Sequence, residues 1–139
     1  MRHVLTILAV EDLARAVAFY ERGFGWRRIV DAPVYVELEI PGGMRLGLYE
    51  RQGFGRNTGQ EPARTPPGGL APTELYFRTG REELDAAIEQ LARAGARLLS
   101  ARAARDWGDE AAYFADPDGN VIVLACSPGA GERHLEERL

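Results

Sequence analysis

The 139-residue chain contains no lysine; its 17 basic side chains are all arginine, dispersed along the sequence. Twenty-one acidic residues outweigh them to a formal net charge of −4. That balance excludes a general electrostatic attraction to nucleic acid or to an anionic membrane surface. Cysteine is nearly absent. Cys126 stands alone, so no disulfide closes within the chain, and a cytoplasmic setting is the simplest expectation. No base or cationic neighbour in sequence activates its thiol, which reads as a packing residue at the end of the last strand. No apolar run approaches membrane-spanning length, and the first ten residues lack the features of a secretion signal.

What is present is alternation and helical spacing, in an order that occurs twice. Residues 2–10 predict a strand, with His3, Leu5, Ile7 and Ala9 on one face and Val4, Thr6, Leu8 and Val10 on the other. Both faces are largely apolar, which places the strand centrally. A helix follows, opened by Asp12 and striped with Leu13, Ala16, Val17 and Tyr20, and Gly23 and Gly25 end it. Strands at 26–30 and 34–40 come next, and a Pro-Gly-Gly turn at 41–43 leads to a strand at 44–50. Residues 51–71 show no periodicity and are rich in proline and glycine, which predicts a linker or a lid that could carry Arg56 and Asn57 down onto a pocket.

The second half repeats this order. Residues 73–79 alternate Leu75, Phe77 and Thr79 against Glu74, Tyr76 and Arg78, and 82–94 carry Leu84, Ala87, Ile88 and Leu91 at helical spacing. A short strand at 97–99 follows. Strands at 110–115 and 121–125 then flank the turn Asp116-Pro117-Asp118-Gly119-Asn120, whose proline and glycine suit a tight hairpin. The tail, 127–139, is polar and permits at most a short surface helix. The expectation is one domain: a first module at 1–50, the linker at 51–71, a second module at 72–126, and the tail. Its class is α+β, with two βαβββ modules forming a curled eight-stranded mixed sheet around a cleft.

Three stretches resemble the vicinal oxygen chelate superfamily of glyoxalases, bleomycin-resistance proteins and extradiol dioxygenases. They are VEDLARAVAFYERGFGW, TELYFRTGREELDAAIEQLARAGAR and, above all, WGDEAAYFADPDGNVIVLA. Metal-dependent members use four inward ligands, and the resemblance carries these onto Leu5, Gly47, Glu74 and Val123. Three of the four have no side-chain donor, so no metal and no cofactor is expected. His3 is read as a histidine with a local hydrogen bond, and His134 as an exposed tail residue.

Leu5, Ile7, Gly47, Tyr49, Glu74, Tyr76, Arg78, Tyr113 and Val123 are the expected cleft lining, with Trp107 capping the rim or anchoring its own loop. That mixture suits a small-molecule pocket. Glu74 is the candidate catalytic residue, as a general base in an apolar setting or as the ionised partner of Arg78. Three readings follow: a metal-independent binder of a small aromatic or amphipathic molecule, for resistance or sequestration; a glyoxalase-like lyase or isomerase using Glu74; and a structural or interaction domain whose tyrosines fill the cavity. The resemblance further implies a homodimer.

Overall fold

A computed structural model describes residues 1–128; the expected tail helix and His134 lie outside them. The elements run β1 (Leu5–Val10), α1 (Leu13–Phe24), β2 (Arg27–Ala32), β3 (Tyr35–Glu39), β4 (Arg45–Glu50), α2 (Arg51–Thr58), β5 (Glu74–Arg78), α3 (Leu84–Arg93), β6 (Arg97–Ala104), β7 (Glu110–Ala115) and β8 (Val121–Cys126). Each module thus has the βαβββ order.

The first sheet has the order β1-β4-β3-β2, and the second repeats it as β5-β8-β7-β6. In each, the edge strand that opens the module pairs in parallel with the strand that closes it, and the other pairings are antiparallel. The sheets are therefore mixed, as expected. Among the described residues no ladder joins them, so the eight strands form two open sheets of four. β1, expected to be central, is an edge strand, as is its counterpart β5; β1 reads as two-sided because one face meets the core while the other carries Leu5, Ile7 and Ala9.

Asp12 caps α1, its Oδ1 accepting from Arg15 N at 3.0 Å, which contributes about 1 kcal/mol. The helix buries Leu13, Ala16, Val17, Phe19 and Tyr20. Its partner α3 buries Leu84 and Leu91. One continuous core joins both helices to the inner faces of both sheets. Phe24 stacks on Trp26 at 4.2 Å between centroids and, across the module boundary, meets Phe77 at 5.1 Å.

The hairpin turn is a second tie between the modules. Asp116 Oδ1 accepts from the backbone of Asp118 (2.9 Å) and Asn120 (2.8 Å). Its Oδ2 accepts from Tyr20 Oη at 2.5 Å and from Asn120 Nδ2 at 3.0 Å. Gly119 takes the left-handed conformation with φ 85°, which the turn requires. Burial first, then the charge of Asp116, pushes the Tyr20 phenol well above its ordinary range.

The linker departs from expectation at its start. Arg51–Thr58 is helical despite Gly53 and Gly55. Tertiary contacts override propensity there: Gly53 lies against the Tyr49 ring, and Arg51 Nη1 and Nη2 donate to Glu61 Oε1 (2.9 Å) and the Pro62 carbonyl (2.6 Å). β6 likewise runs five residues past the short strand expected at 97–99. No described helix is long and apolar enough to cross a membrane.

Candidate functional site

With Leu8, Val10, Val36, Leu38, Leu46 and Leu48 turned into the core, the alternate residues of the first sheet occupy its open face. Register sets Ile7, Gly47 and Glu37 in one row, and Ala9, Tyr49 and Tyr35 in the next. The second sheet repeats this, with Tyr76, Val123 and Tyr113 in one row and Arg78, Ala125 and Ala111 in the next. The expected site residues fall into two groups. Leu5, Ile7, Gly47 and Tyr49 share one open face, and Glu74, Tyr76, Arg78, Tyr113 and Val123 the other. Both faces turn away from the shared core, so a single chain does not gather all of them around one cleft.

On the second sheet, Ala111, Val123 and Ala125 form a buried floor, and Tyr76 and Tyr113 pack against it. Above this floor lies a polar network. Asp109, fully buried, accepts from Tyr76 Oη at 2.5 Å and from Arg78 Nε at 3.1 Å. Trp107 Nε1 donates to Tyr76 Oη at 2.9 Å. Burial and then the bond to Asp109 push the Tyr76 phenol up to about 12, so it stays protonated across the physiological range. Arg105 lies over the Tyr113 ring, 4.9 Å from its centroid, and donates to the carbonyls of Ala101 and Ala111. Three aromatic side chains and two guanidinium groups are thereby held in fixed orientations over one open face.

Arg78 pairs with Asp109, a partner that strand alternation does not reveal. Asp109 precedes β7 by one residue and reaches back under β5, whereas Glu74 sits exposed at the start of β5. Neither Asp109 nor Arg105 emerges from periodicity. The available signal was the same-face pair Tyr76 and Arg78, which needs a buried acceptor. Trp107 is tied to Tyr76 through its indole N–H.

On the first sheet, Tyr35 Oη donates to Glu37 Oε2 at 2.7 Å, and Arg45 Nη1 donates to Glu37 Oε1 at 2.9 Å. The Tyr35 ring crosses Gly47: a Cβ there would lie 2.6 Å from Tyr35 Oη and 2.9 Å from Ile7 Cγ1. Burial first, then Glu37, raises the Tyr35 phenol. Tyr49 meets Tyr35 edge-on at 5.2 Å and accepts from Asn57 Nδ2 at 3.3 Å. His3 is exposed and shares a 3.1 Å hydrogen bond with Thr6 Oγ1.

A cavity of about 760 Å³ lies elsewhere, between the edge of β1, the 62–73 segment and the hairpin turn. Of the expected site residues, only Ile7 lines it.

With this fold and register, the family model for the Glyoxalase/Bleomycin resistance protein/Dioxygenase superfamily matches residues 1–124. The chain belongs to that superfamily. Among curated proteins, it is 25% identical over 114 residues to the metallothiol transferase FosB of Lysinibacillus sphaericus, covering 82% of this chain and 74% of that one. Among solved structures, a glyoxalase-related enzyme from Fulvimarina pelagi is similar at 26% identity and a TM-score of 0.81, covering 91% of this chain and 88% of that one. A lactoylglutathione lyase from Agrobacterium tumefaciens shares the fold at 21% identity and a TM-score of 0.69, with coverage of 94% and 97%.

The superfamily's metal positions, carried onto this chain, do not fit an ion. Leu5, Gly47 and Val123 offer no side-chain donor, and one carboxylate cannot supply the several fixed ligands a divalent ion needs. At Gly47 the space a ligand side chain would enter is taken by the Tyr35 phenol, itself bound to Glu37. Among the described residues no group of three or more His, Cys, Asp or Glu is arranged to hold a metal.

Proposed function

We propose that this superfamily member binds a small aromatic or amphipathic molecule without a metal, against the open face bearing Tyr76, Trp107 and Tyr113. The observation that carries this reading is the buried Asp109, which fixes Tyr76 and Arg78 while Trp107 is fixed on Tyr76. Preorganised aromatic side chains lose little entropy on meeting a planar ligand, and nearby guanidinium groups favour anionic or π-rich ones.

The second wall of the site, in this reading, comes from a homodimer. The open face of the first sheet in one copy, with Ile7 36% exposed, would meet the second sheet of another. The β1 and β5 edges, unpaired among the described residues, and exposed Val4 and Met44 support such a pairing. Sequestration of a toxic compound is the role that suits binding without a reacting group.

A second reading, an interaction domain with filled faces, is favoured by Tyr35 closing over Gly47 and by the tyrosines packed over the second sheet's floor. Thermal-shift titrations with bleomycin, other planar aromatic compounds and S-lactoylglutathione separate these readings. Saturable stabilisation by an aromatic compound, lost in Trp107→Phe, supports the binder. No stabilisation by any compound favours the interaction domain. Isomerisation of the hemithioacetal of glutathione and an α-ketoaldehyde to the 2-hydroxyacyl thioester, lost in Glu74→Gln, would instead establish a lyase or isomerase.

A further inference from the structure

Charge is uneven along the face that carries Tyr76, Trp107 and Tyr113. Register sets three rows across it: Glu74, Val121 and Ala115, then Tyr76, Val123 and Tyr113, then Arg78, Ala125 and Ala111. Glu74 and Arg78 therefore stand at opposite ends of β5, about 13 Å apart along the strand. Arg105 adds a second guanidinium at the Arg78 end, because its Nε and Nη2 both donate to the Ala111 carbonyl, at 3.2 and 2.8 Å. Its Cζ lies 4.9 Å from the Tyr113 ring centroid.

The two cations differ in what balances them. Arg78 meets the buried Asp109 through Nε at 3.1 Å and Nη2 at 3.5 Å. Arg105 pairs with no carboxylate among the described residues; its Nε and Nη2 donate to the Ser100 hydroxyl and to the carbonyls of Ala101 and Ala111. Those acceptors satisfy its N–H groups without cancelling its charge. All of these bonds leave Nη1 unused. Arg105 Nη1 is not among the buried polar atoms that lack a partner, so it reaches the surface. A cation fixed in orientation, uncompensated and open at one nitrogen suits an anion. The bond it offers is charge-assisted, roughly twice as strong as a neutral one, and little side-chain entropy remains to be lost in making it.

We infer that the ligand of this face is a planar aromatic acid, whose carboxylate or sulfonate accepts from Arg105 Nη1 while its ring lies against Tyr76 and Trp107. This class of ligand presupposes the aromatic-binding role proposed above for the same face. Glu74 makes the opposite end of β5 unfavourable to the acidic group, which sets the direction in which the molecule lies. Arg105 is then the residue that selects acids over neutral aromatic compounds.

Isothermal titration of the full chain tests this with 2-naphthoate, naphthalene-2-sulfonate and indole-3-acetate, each beside its uncharged amide. At least one acid should bind at least tenfold more tightly than its amide, and added salt should narrow that ratio. Arg105→Gln should bring the ratio close to one, whereas Arg105→Lys, which keeps the charge, should retain part of it. Should Arg105→Gln fail to fold, Arg105→Lys and the salt dependence of the native chain decide. Equal binding of every acid and its amide, a ratio indifferent to salt, or a ratio unchanged in Arg105→Gln would overturn the inference and leave aromatic binding at this face standing. No binding by any acid, while another aromatic compound stabilises the chain through Trp107, would do the same. No binding by any aromatic compound at all would overturn both.

Discussion

Replacing Gly47 by alanine asks whether the Tyr35 phenol fills the space beside Gly47, the position onto which the superfamily resemblance carries a metal ligand. In a strand, glycine to alanine ordinarily stabilises by about 0.4–1 kcal/mol, because the unfolded chain loses freedom. Here the added methyl would meet Tyr35 Oη at 2.6 Å, Tyr35 Cε1 at 2.9 Å and Ile7 Cγ1 at 2.9 Å. Overpacking of this kind costs about 1–3 kcal/mol. Displacing Tyr35 also breaks its bond to Glu37, worth about 1 kcal/mol at a half-buried site where water offers partial replacement. The expected loss is about 2–4 kcal/mol, or a fall in Tm of roughly 8–16 °C for a chain of this size. Urea unfolding followed by far-UV circular dichroism measures it. In a Tyr35→Ala background the same substitution should cost no more than about 1 kcal/mol, from the residual contact with Ile7. A Gly47→Ala protein as stable as the native one, or an equal cost in both backgrounds, would refute the packing argument.

Three further outcomes are expected. Asp116→Ala strands the hydroxyl of Tyr20, the Asn120 amide and two backbone N–H groups, so urea unfolding should show a loss of about 4 kcal/mol or more. Asp109→Asn leaves Arg78 partly buried beside a neutral group, which should lower stability by about 3 kcal/mol and weaken aromatic-ligand binding; Trp107→Phe should weaken binding with a smaller stability change. Tyr20, Tyr35 and Tyr76 all have phenol pKa values raised by folding. Their contribution is therefore complete below the unfolded value near 10 and is lost as pH rises above it, through about 12 for Tyr76. Phenolate absorbance should accordingly develop later in the folded chain than in urea; coincident titration curves would contradict the structure.

The secondary structure was legible where local chemistry and periodicity agree. Asp12 before a striped helix, and the proline and glycine of 116–120 between two apolar runs, locate α1 and the β7–β8 hairpin without any tertiary information. The strand boundaries at 110 and 115 match those in the structure. The helix at 51–58 was not legible, because glycines at 53 and 55 deny it propensity and its support comes from Tyr49, Glu61 and Pro62. Alternation correctly put Glu74, Tyr76 and Arg78 on one face, but could not say that Asp109, 31 residues beyond Arg78, would be the acceptor there. Nor could it show that each open face turns outward, since that follows from α1 and α3 packing both sheets into one core. Cross-strand side-chain pairing, unlike period, leaves little trace in a single sequence.

In the proposed function, the face bearing Trp107 binds an aromatic molecule with no metal present. Its most direct test is the fluorescence of Trp107, taken as the difference between native protein and Trp107→Phe. Chelator-treated protein is titrated with bleomycin and a panel of planar aromatic compounds, then again after one equivalent of zinc, nickel or manganese. Saturable quenching by at least one compound is expected, with an affinity that added metal leaves unchanged. Quenching that appears only after metal is added, or no quenching by any compound, would contradict it.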